Sequence, residues 1–227
     1  MHLCLVQAFV CIPKRRNAKA MYRIRKLLHS KEWSTSDVLL WQKSPFAAWM
    51  EGVMRWHPEH ELCKYIDPPD EMMQLLAAKG RAWELEVLDQ LRTNRNLIVK
   101  PKDIQETIHA CTSSSSTLCE LVYQARLSDG QIRGIADFMI LEDDGVSYSI
   151  WDAKSASRTR PDDLMQIAAY SELAKSCGIK IARYGVIAHR GGYEAFDLDL
   201  HSARWRRLQN DFLNDFSSSF DPKNCAP

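Results

Sequence analysis

Two acidic residues and a lysine lie close together in the middle of the chain. Asp137 belongs to an apolar run at 134–141, and Asp152 and Lys154 end a second run at 148–154. Side chains two apart on a strand project from the same face, so Asp152 and Lys154 would share one face. Two carboxylates and an ammonium at the end of an apolar sheet suit a hard divalent cation, which prefers oxygen ligands. The alternative is an ion-pair network that only stabilises the fold, although carboxylates clustered without a cation repel one another.

A β-hairpin would bring Asp137 alongside Asp152. The two runs mix β-branched and aromatic residues, and the polar cluster 142–145 between them contains turn-forming residues. The same reasoning, with Ser128-Asp-Gly130 as a second hairpin turn, predicts five strands in all. These strands are expected at 117–127, 131–141, 147–154, 181–189 and 193–200.

Capping residues and prolines predict helices around these strands. Side chains from Ser34 to Asp37 can cap a helix, Pro45 restarts the chain, Asp70 is a second cap, and Pro161 suits a first helical turn. No element is predicted for 94–116, which end in a serine-rich turn. The helices are expected at 38–42, 46–54, 71–93, 161–176 and 201–216.

Two predicted helices each carry a pair of residues four positions apart, and the two members of each pair would lie on the same face of their helix. Gly80 and Glu84 lie on the 71–93 helix, where close packing of the glycine and an exposed acid are the simplest readings. A glycine inside a helix costs roughly 1 kcal/mol, and close approach of the helix to the sheet would offset that cost. Such an approach would also bring Glu84 towards the two aspartates. Gln166 and Tyr170 form the second pair, with helix-to-sheet packing as their alternative role.

Four motifs occur in the order of these elements, and together they resemble the PD-(D/E)XK nuclease superfamily, specifically its RecB-like branch. The resemblance covers about residues 34–198. It implies an α/β protein with a mixed sheet, a restriction-endonuclease-like αβββαβ core and an N-terminal helical extension. The motifs are Gly80-x-x-x-Glu84, Gly134-x-x-Asp137, Asp152-x-Lys154 and Gln166-x-x-x-Tyr170.

The resemblance implies that the chain is a metal-dependent deoxyribonuclease. Asp137, Asp152, Glu84 and the backbone carbonyl of Ala153 would hold one or two Mg²⁺ or Mn²⁺ ions, and Lys154 would position or deprotonate the attacking water. Many RecB-like nucleases place a histidine ligand in the first helix, whereas this chain offers Glu84 there. The expected reaction is exonuclease-like phosphodiester hydrolysis in DNA repair, recombination or defence.

The resemblance also implies how nucleic acid would be held. Gln166 and Tyr170 would steady the site or the DNA backbone, and Arg158 and Arg160 are candidates for phosphate contacts, which give affinity without sequence information. The expected partners are single-stranded DNA or duplex ends, with a helicase that could act in trans. Two alternatives stay open: an inactive nuclease-fold module that binds DNA or a helicase, and a structure-specific endonuclease of the same fold.

Composition sets wider limits on the 227-residue chain. Its 30 basic and 29 acidic residues give a net charge of +1, which neither requires nor excludes a polyanionic partner. Seven cysteines without a Cys-x-x-Cys pair suggest reduced thiols in a cytoplasmic protein. The RecB-like nucleases that hold an iron–sulfur cluster have a closely spaced C-terminal trio of cysteines, whereas this chain has only Cys177 and Cys225 there, so the resemblance implies no cluster.

The chain should contain one nuclease domain with an extension at each end. Residues 1–33 are expected to form a loosely ordered tail, 34–200 the nuclease domain, and 201–227 a helix followed by a frayed end from Ser217. The basic run 14–16 follows the apolar N-terminal residues instead of preceding them, which argues against a secretory signal. No apolar run reaches the length of a membrane helix.

Overall fold

The computed structural model describes residues 31–66, 70–113 and 118–221. Within these ranges the strands are β1 (Trp33–Ser34), β2 (Ile98–Val99), β3 (Leu121–Ser128), β4 (Ile132–Leu141), β5 (Tyr148–Lys154), β6 (Ile181–His189) and β7 (Gly192–Asp197). The α-helices are α1 (Thr35–Lys43), α2 (Pro45–Trp56), α3 (Glu71–Arg92), α4 (Ile104–Thr112), α5 (Pro161–Ser176) and α6 (Asp199–Asp211). Shorter helical turns cover Glu61–Tyr65, Phe212–Phe216 and Ser217–Ser219.

One open sheet of mixed direction organises the fold. Its strand order is β2-β3-β4-β5-β6-β7, and β1 pairs with β4 outside this path. The pairs β3–β4, β4–β5 and β6–β7 are antiparallel, whereas β5 and β6 are parallel and are connected through α5. A parallel pair needs such a crossover, because a tight turn can join only antiparallel strands. The chain is therefore a mixed α/β protein, as the sequence predicted.

The helix starts follow the capping residues. The Ser34 hydroxyl accepts a hydrogen bond from Asp37 N–H at 3.1 Å, and an Asp37 carboxylate oxygen accepts one from Ser34 N–H at 2.7 Å. Asp70 caps α3 by accepting from Met73 N–H at 2.6 Å. These bonds satisfy amide groups that have no partner inside a helix, which explains why short polar residues mark these starts.

Helices cover both faces of the sheet. A large apolar cluster joins one face to residues of α1, α2, α4, α5 and α6, and a smaller cluster lies under the second half of α3. Leu88 and Leu91 of α3 are buried there. Leu75 and Leu76 are about half exposed, because the first half of the helix extends past the sheet, and Leu85 is about half exposed in the second half.

Helix α4 was not predicted from the sequence. Asp103 caps it by accepting from Glu106 N–H at 2.9 Å, and Thr107 and Cys111 face the core. Its nine residues include two threonines, a histidine and a cysteine, which are weak helix formers, so tertiary packing decides its conformation.

The structure includes residues beyond both predicted ends of the central domain. Trp33, assigned to the tail, is only 3% exposed, and its indole N–H donates to the Ser217 hydroxyl at 2.9 Å. Phe216 is buried and Phe220 packs against Trp33, so residues 217–221 do not fray. The tail residues 1–30 lie outside the described ranges. None of the described helices is long and apolar enough to cross a membrane.

Candidate active site

Strands β4 and β5 separate where the two aspartates meet. Their pairing runs from the turn as far as Phe138 opposite Trp151, and one more pair would place Asp137 opposite Asp152. Instead, a carboxylate oxygen of Asp137 accepts a hydrogen bond from Ala153 N–H at 2.8 Å. The Asp137 side chain thus takes the place of a backbone acceptor at the end of the β4–β5 pairing. This contact places the Asp137 carboxylate at the same edge as Asp152.

Asp152 and Lys154 form an ion pair inside this edge. Asp152 is 1% exposed, and Lys154 Nζ lies 2.5 Å from its Oδ2 atom. No hydrogen bond of good geometry reaches that oxygen, so it is buried with incomplete satisfaction. Lys154 Nζ also donates to Gln166 Oε1 at 2.8 Å. The expectation that Asp152 and Lys154 share a face is confirmed.

Helix α5 supports the lysine through a second hydrogen bond. Gln166 Nε2 donates to the Tyr170 hydroxyl at 2.6 Å, which orients the amide towards Lys154. Tyr170 is 5% exposed and lies beneath Gly134, where an added Cβ would be 2.7 Å from Tyr170 Cε1. The glycine of one motif therefore makes room for the tyrosine of another, a relation that the sequence alone did not reveal.

The charges at this edge influence one another strongly. Burial raises the pKa of Asp137 well above its usual range, and the neighbouring Asp152 carboxylate raises it further. Burial also raises the pKa of Asp152, although the Lys154 ammonium opposes this. Burial lowers the pKa of Lys154, but attraction to Asp152 and Asp137 outweighs it and leaves this pKa raised. Lys154 therefore stays protonated, which favours positioning and charge compensation over proton abstraction.

Glu84 reaches the rim of the site from α3. It is half-buried and accepts a hydrogen bond from Gln124 Nε2 at 3.0 Å, and its charge contributes to the raised pKa of Asp137. Gly80 does not explain this approach, because nothing lies within 4 Å of an added Cβ there. The predicted close packing at Gly80 is wrong. Trp83 anchors the helix instead, since its indole N–H donates to the Ala188 carbonyl at 2.9 Å.

The oxygen donors at this edge fit a hard divalent cation. Among the described residues, no three His, Cys, Asp or Glu side chains are grouped closely enough to hold a metal ion. Asp137 and Asp152 nevertheless present buried carboxylates, and Asp152 Oδ2 lacks a well-oriented donor. A cation of the magnesium type would satisfy such oxygens, and it would require the Lys154 ammonium to withdraw from Asp152 Oδ2.

The loop that carries the two arginines lies between β5 and α5. Arg158 and Arg160 are exposed, and Arg160 N–H donates to an Asp163 carboxylate oxygen at 2.8 Å, which closes the start of α5. The Thr159 hydroxyl donates to Glu194 Oε2 at 2.8 Å, so the loop is tied to β7. This hydrogen bond anchors the loop from which the two exposed arginine side chains project.

Three further residues near the site were not found from the sequence. His189 pairs in register with Lys154, and its Nε2 atom lies 3.1 Å from Glu194 Oε1. Its Nδ1 atom accepts from Gly191 N–H at 3.0 Å. Gln124 of β3 contacts Glu84 of α3. The contact between His189 and Glu194 joins neighbouring strands and that between Gln124 and Glu84 joins a strand to a helix, so no spacing in the sequence indicates either one.

Comparison with known proteins leaves the family open. No family model matches the chain, and no curated protein matches it. The solved structure described as "Crystal structure of SSO0001" aligns with 86% of this chain and 85% of its own, at 16% identity and a TM-score of 0.45. A similarity at this level carries no argument about fold family or function.

Proposed function

We propose that the protein is a metal-dependent deoxyribonuclease with a restriction-endonuclease-like core. The observation that carries the proposal is the pair of buried carboxylates, Asp137 and Asp152, held at a strand edge beside Lys154. Clustered carboxylates are unfavourable unless a cation or a proton neutralises them. The succession of α3, three antiparallel strands, α5 and a parallel strand further supports this class of core.

Mg²⁺ or Mn²⁺ fits the donor set of Asp137, Asp152 and the Ala153 carbonyl, with Glu84 at the rim. When bound, such an ion polarises a phosphate and lowers the pKa of a coordinated water. Lys154 would hold its proton, orient the attacking water and compensate the charge that develops on the phosphate. Its position depends on Gln166, whose Oε1 atom accepts a hydrogen bond from the Lys154 ammonium.

The remaining groups would orient the nucleic acid. The exposed Arg158 and Arg160 leave a loop next to Lys154, where guanidinium groups can contact successive phosphates. Such contacts bind the backbone without reading bases, so cleavage of DNA without sequence preference is expected. The same proposal includes exonuclease-like action, a helicase partner and a cytoplasmic location. It also includes a role in repair, recombination or defence.

The test is cleavage of linear and circular DNA, single-stranded and duplex, with Mg²⁺, Mn²⁺ or EDTA. Wild type should cut only with a divalent cation, and Lys154→Ala and Asp137→Asn should each lower the rate by about 10²- to 10⁴-fold. The exposed Lys180→Ala and Asp143→Asn are matched controls with the same changes in charge. Both controls should cleave as wild type does, and circular substrates distinguish internal cutting from cutting at ends.

Three outcomes would contradict the proposal. Cleavage in EDTA would show that the reaction needs no divalent cation. Full activity of Lys154→Ala or Asp137→Asn would show that these residues do not form the active site. An inert wild type that binds DNA equally well with either substitution would favour the inactive binding module.

A further inference from the structure

Gln124 has an unusual backbone for a residue inside a strand. Its φ of 52° is the only positive φ outside glycine among the residues that the structure describes. The left-handed region is sterically unfavourable for residues with a Cβ, and such a conformation persists only where the surroundings enforce it. Gln124 lies in the middle of β3, three residues from its nearer end, so no turn accounts for this backbone.

Strand β3 exchanges its two faces at Gln124. Leu121 and Tyr123 pack in the cluster under α3, whereas Ala125 and Leu127 pack in the large cluster. Regular alternation would place these four side chains on the same face. The positive φ therefore marks the point where the strand reverses.

Strand β4 reverses at Asp137. Ala136 packs in the large cluster and Phe138 in the cluster under α3, although they are two apart. The register of β3 and β4 is the same on both sides of this point, which places Gln124 opposite Asp137. The backbone strain thus coincides with a carboxylate of the candidate site.

The Gln124 side chain turns from this position to a second carboxylate. Its Nε2 atom donates to Glu84 Oε1 at 3.0 Å, across from the sheet to α3. Glu84 is only half-buried, and without such a donor its side chain could rotate into solvent. The hydroxyl of the neighbouring Tyr123 also hydrogen-bonds the Glu84 carboxylate, so two successive residues of β3 hold this side chain.

We propose that Gln124 is a positioning residue, whose constrained backbone aims its amide at Glu84 and holds that carboxylate at the rim of the site, where its charge acts on Asp137. The inference rests on the proposed function, because Glu84 needs a fixed position only if the site binds a divalent cation. Groups that orient a metal ligand typically change metal affinity by 10- to 100-fold when they are removed.

The experiment measures Mn²⁺ binding to the full chain by titration calorimetry, without DNA. Gln124→Ala should weaken binding about tenfold, and Glu84→Ala should weaken it at least as much. In the Glu84→Ala background, Gln124→Ala should have no further effect, because the amide acts through that carboxylate. Gln105→Ala, an exposed glutamine of α4, is the matched control and should bind Mn²⁺ as wild type does.

Gln124→Gly separates positioning from folding. Glycine accepts a positive φ, so this variant should unfold at a urea concentration no lower than wild type and still show the tenfold loss of Mn²⁺ affinity. Wild-type affinity in both Gln124 variants, with weakened binding in Glu84→Ala and Asp137→Asn, would overturn the positioning role and leave the proposed function intact. Absence of Mn²⁺ binding by wild type would overturn both.

Discussion

Two buried aspartates of this protein pair with cations in very different ways. Asp37 joins α1 to α2: its Oδ2 accepts from Arg55 Nη1 at 2.6 Å and from Ser34 N–H at 2.7 Å, and its Oδ1 accepts from Arg55 Nη2 at 3.0 Å. Both carboxylate oxygens are therefore satisfied. The hydrogen bonds that Arg55 donates to Asp37 also raise the pKa of Arg55, which keeps the guanidinium charged.

Asp152 has no such arrangement. Its Oδ2 lies beside Lys154 without a well-oriented hydrogen bond, and burial raises its pKa. Asp137, a second carboxylate, adds repulsion. A buried ion pair stabilises a fold only when further hydrogen bonds complete it, as they do at Asp37. The contacts of Asp152 are thus fewer than those of Asp37, a difference that the proposed cation site would account for.

The largest expected difference between the two pairs is the cost of removing the cation. Arg55→Met would leave the Asp37 carboxylate buried and uncompensated, which should lower the free energy of unfolding by about 3 kcal/mol. Lys154→Met should cost about 1 kcal/mol at neutral pH, because the Asp137–Asp152 pair, with its raised pKa values, can bind a proton instead. Urea unfolding in EDTA measures both values.

Equal losses in Arg55→Met and Lys154→Met would contradict this distinction. A larger loss for Lys154→Met would favour the ion-pair network as the reason for the cluster. Arg55→Lys refines the first value, since an ammonium cannot replace the two-pronged contact of the guanidinium.

The elements around the site were more predictable than the contacts within it. Helices α3 and α5 begin at the predicted capping or proline residues, and β4 and β5 cover nearly the expected ranges, because capping and alternation are local signals. The contact of Asp152 with Lys154 and that of Gln166 with Tyr170 follow from spacings of two and four residues.

Contacts that depend on strand register or on packing between elements were not predictable. The hydrogen bond from Ala153 to Asp137 exists because β4 and β5 separate there, and the strain at Gln124 arises where two strands reverse together. Gly80 shows the opposite error: a glycine inside a helix suggested close packing, but the helix extends past the sheet at that point. Neither the pattern nor the composition contains this information.

The pH dependence of the free energy of unfolding should also distinguish the Asp137–Asp152 pair from Asp37, by a smaller amount. The pKa of Asp137 is raised above the ordinary 3.8 in the folded protein, so from about that pH upward the folded state binds more protons than the unfolded chain. The free energy of unfolding contributed by this group therefore falls as pH rises through the window between the two pKa values. Asp137→Asn removes this contribution and should gain stability relative to wild type as pH rises.

Urea unfolding in EDTA between about pH 4 and pH 8 tests this trend, with Asp143→Asn as the exposed control on the same hairpin. If the free energies of unfolding of wild type and Asp137→Asn differ by a constant amount across this range, then folding does not raise the pKa of Asp137.

Substitutions at the two motif glycines are expected to change stability in opposite directions. Gly80→Ala adds a methyl group with nothing within 4 Å and should stabilise α3 by about 1 kcal/mol. Gly134→Ala places a Cβ 2.7 Å from Tyr170 Cε1 and 3.2 Å from Thr35 Cγ2, so it should destabilise the protein by about 1–3 kcal/mol.

Urea unfolding measures both glycine variants, and DNA cleavage distinguishes their consequences for the site. Displacement of Tyr170 would release Gln166 and with it the hydrogen bond to Lys154, so Gly134→Ala should lose cleavage activity while still folded. Gly80→Ala should retain it. If folded Gly134→Ala cleaves DNA as wild type does, then Gln166 and Tyr170 serve packing alone, and the position of Lys154 must depend on its carboxylate partners.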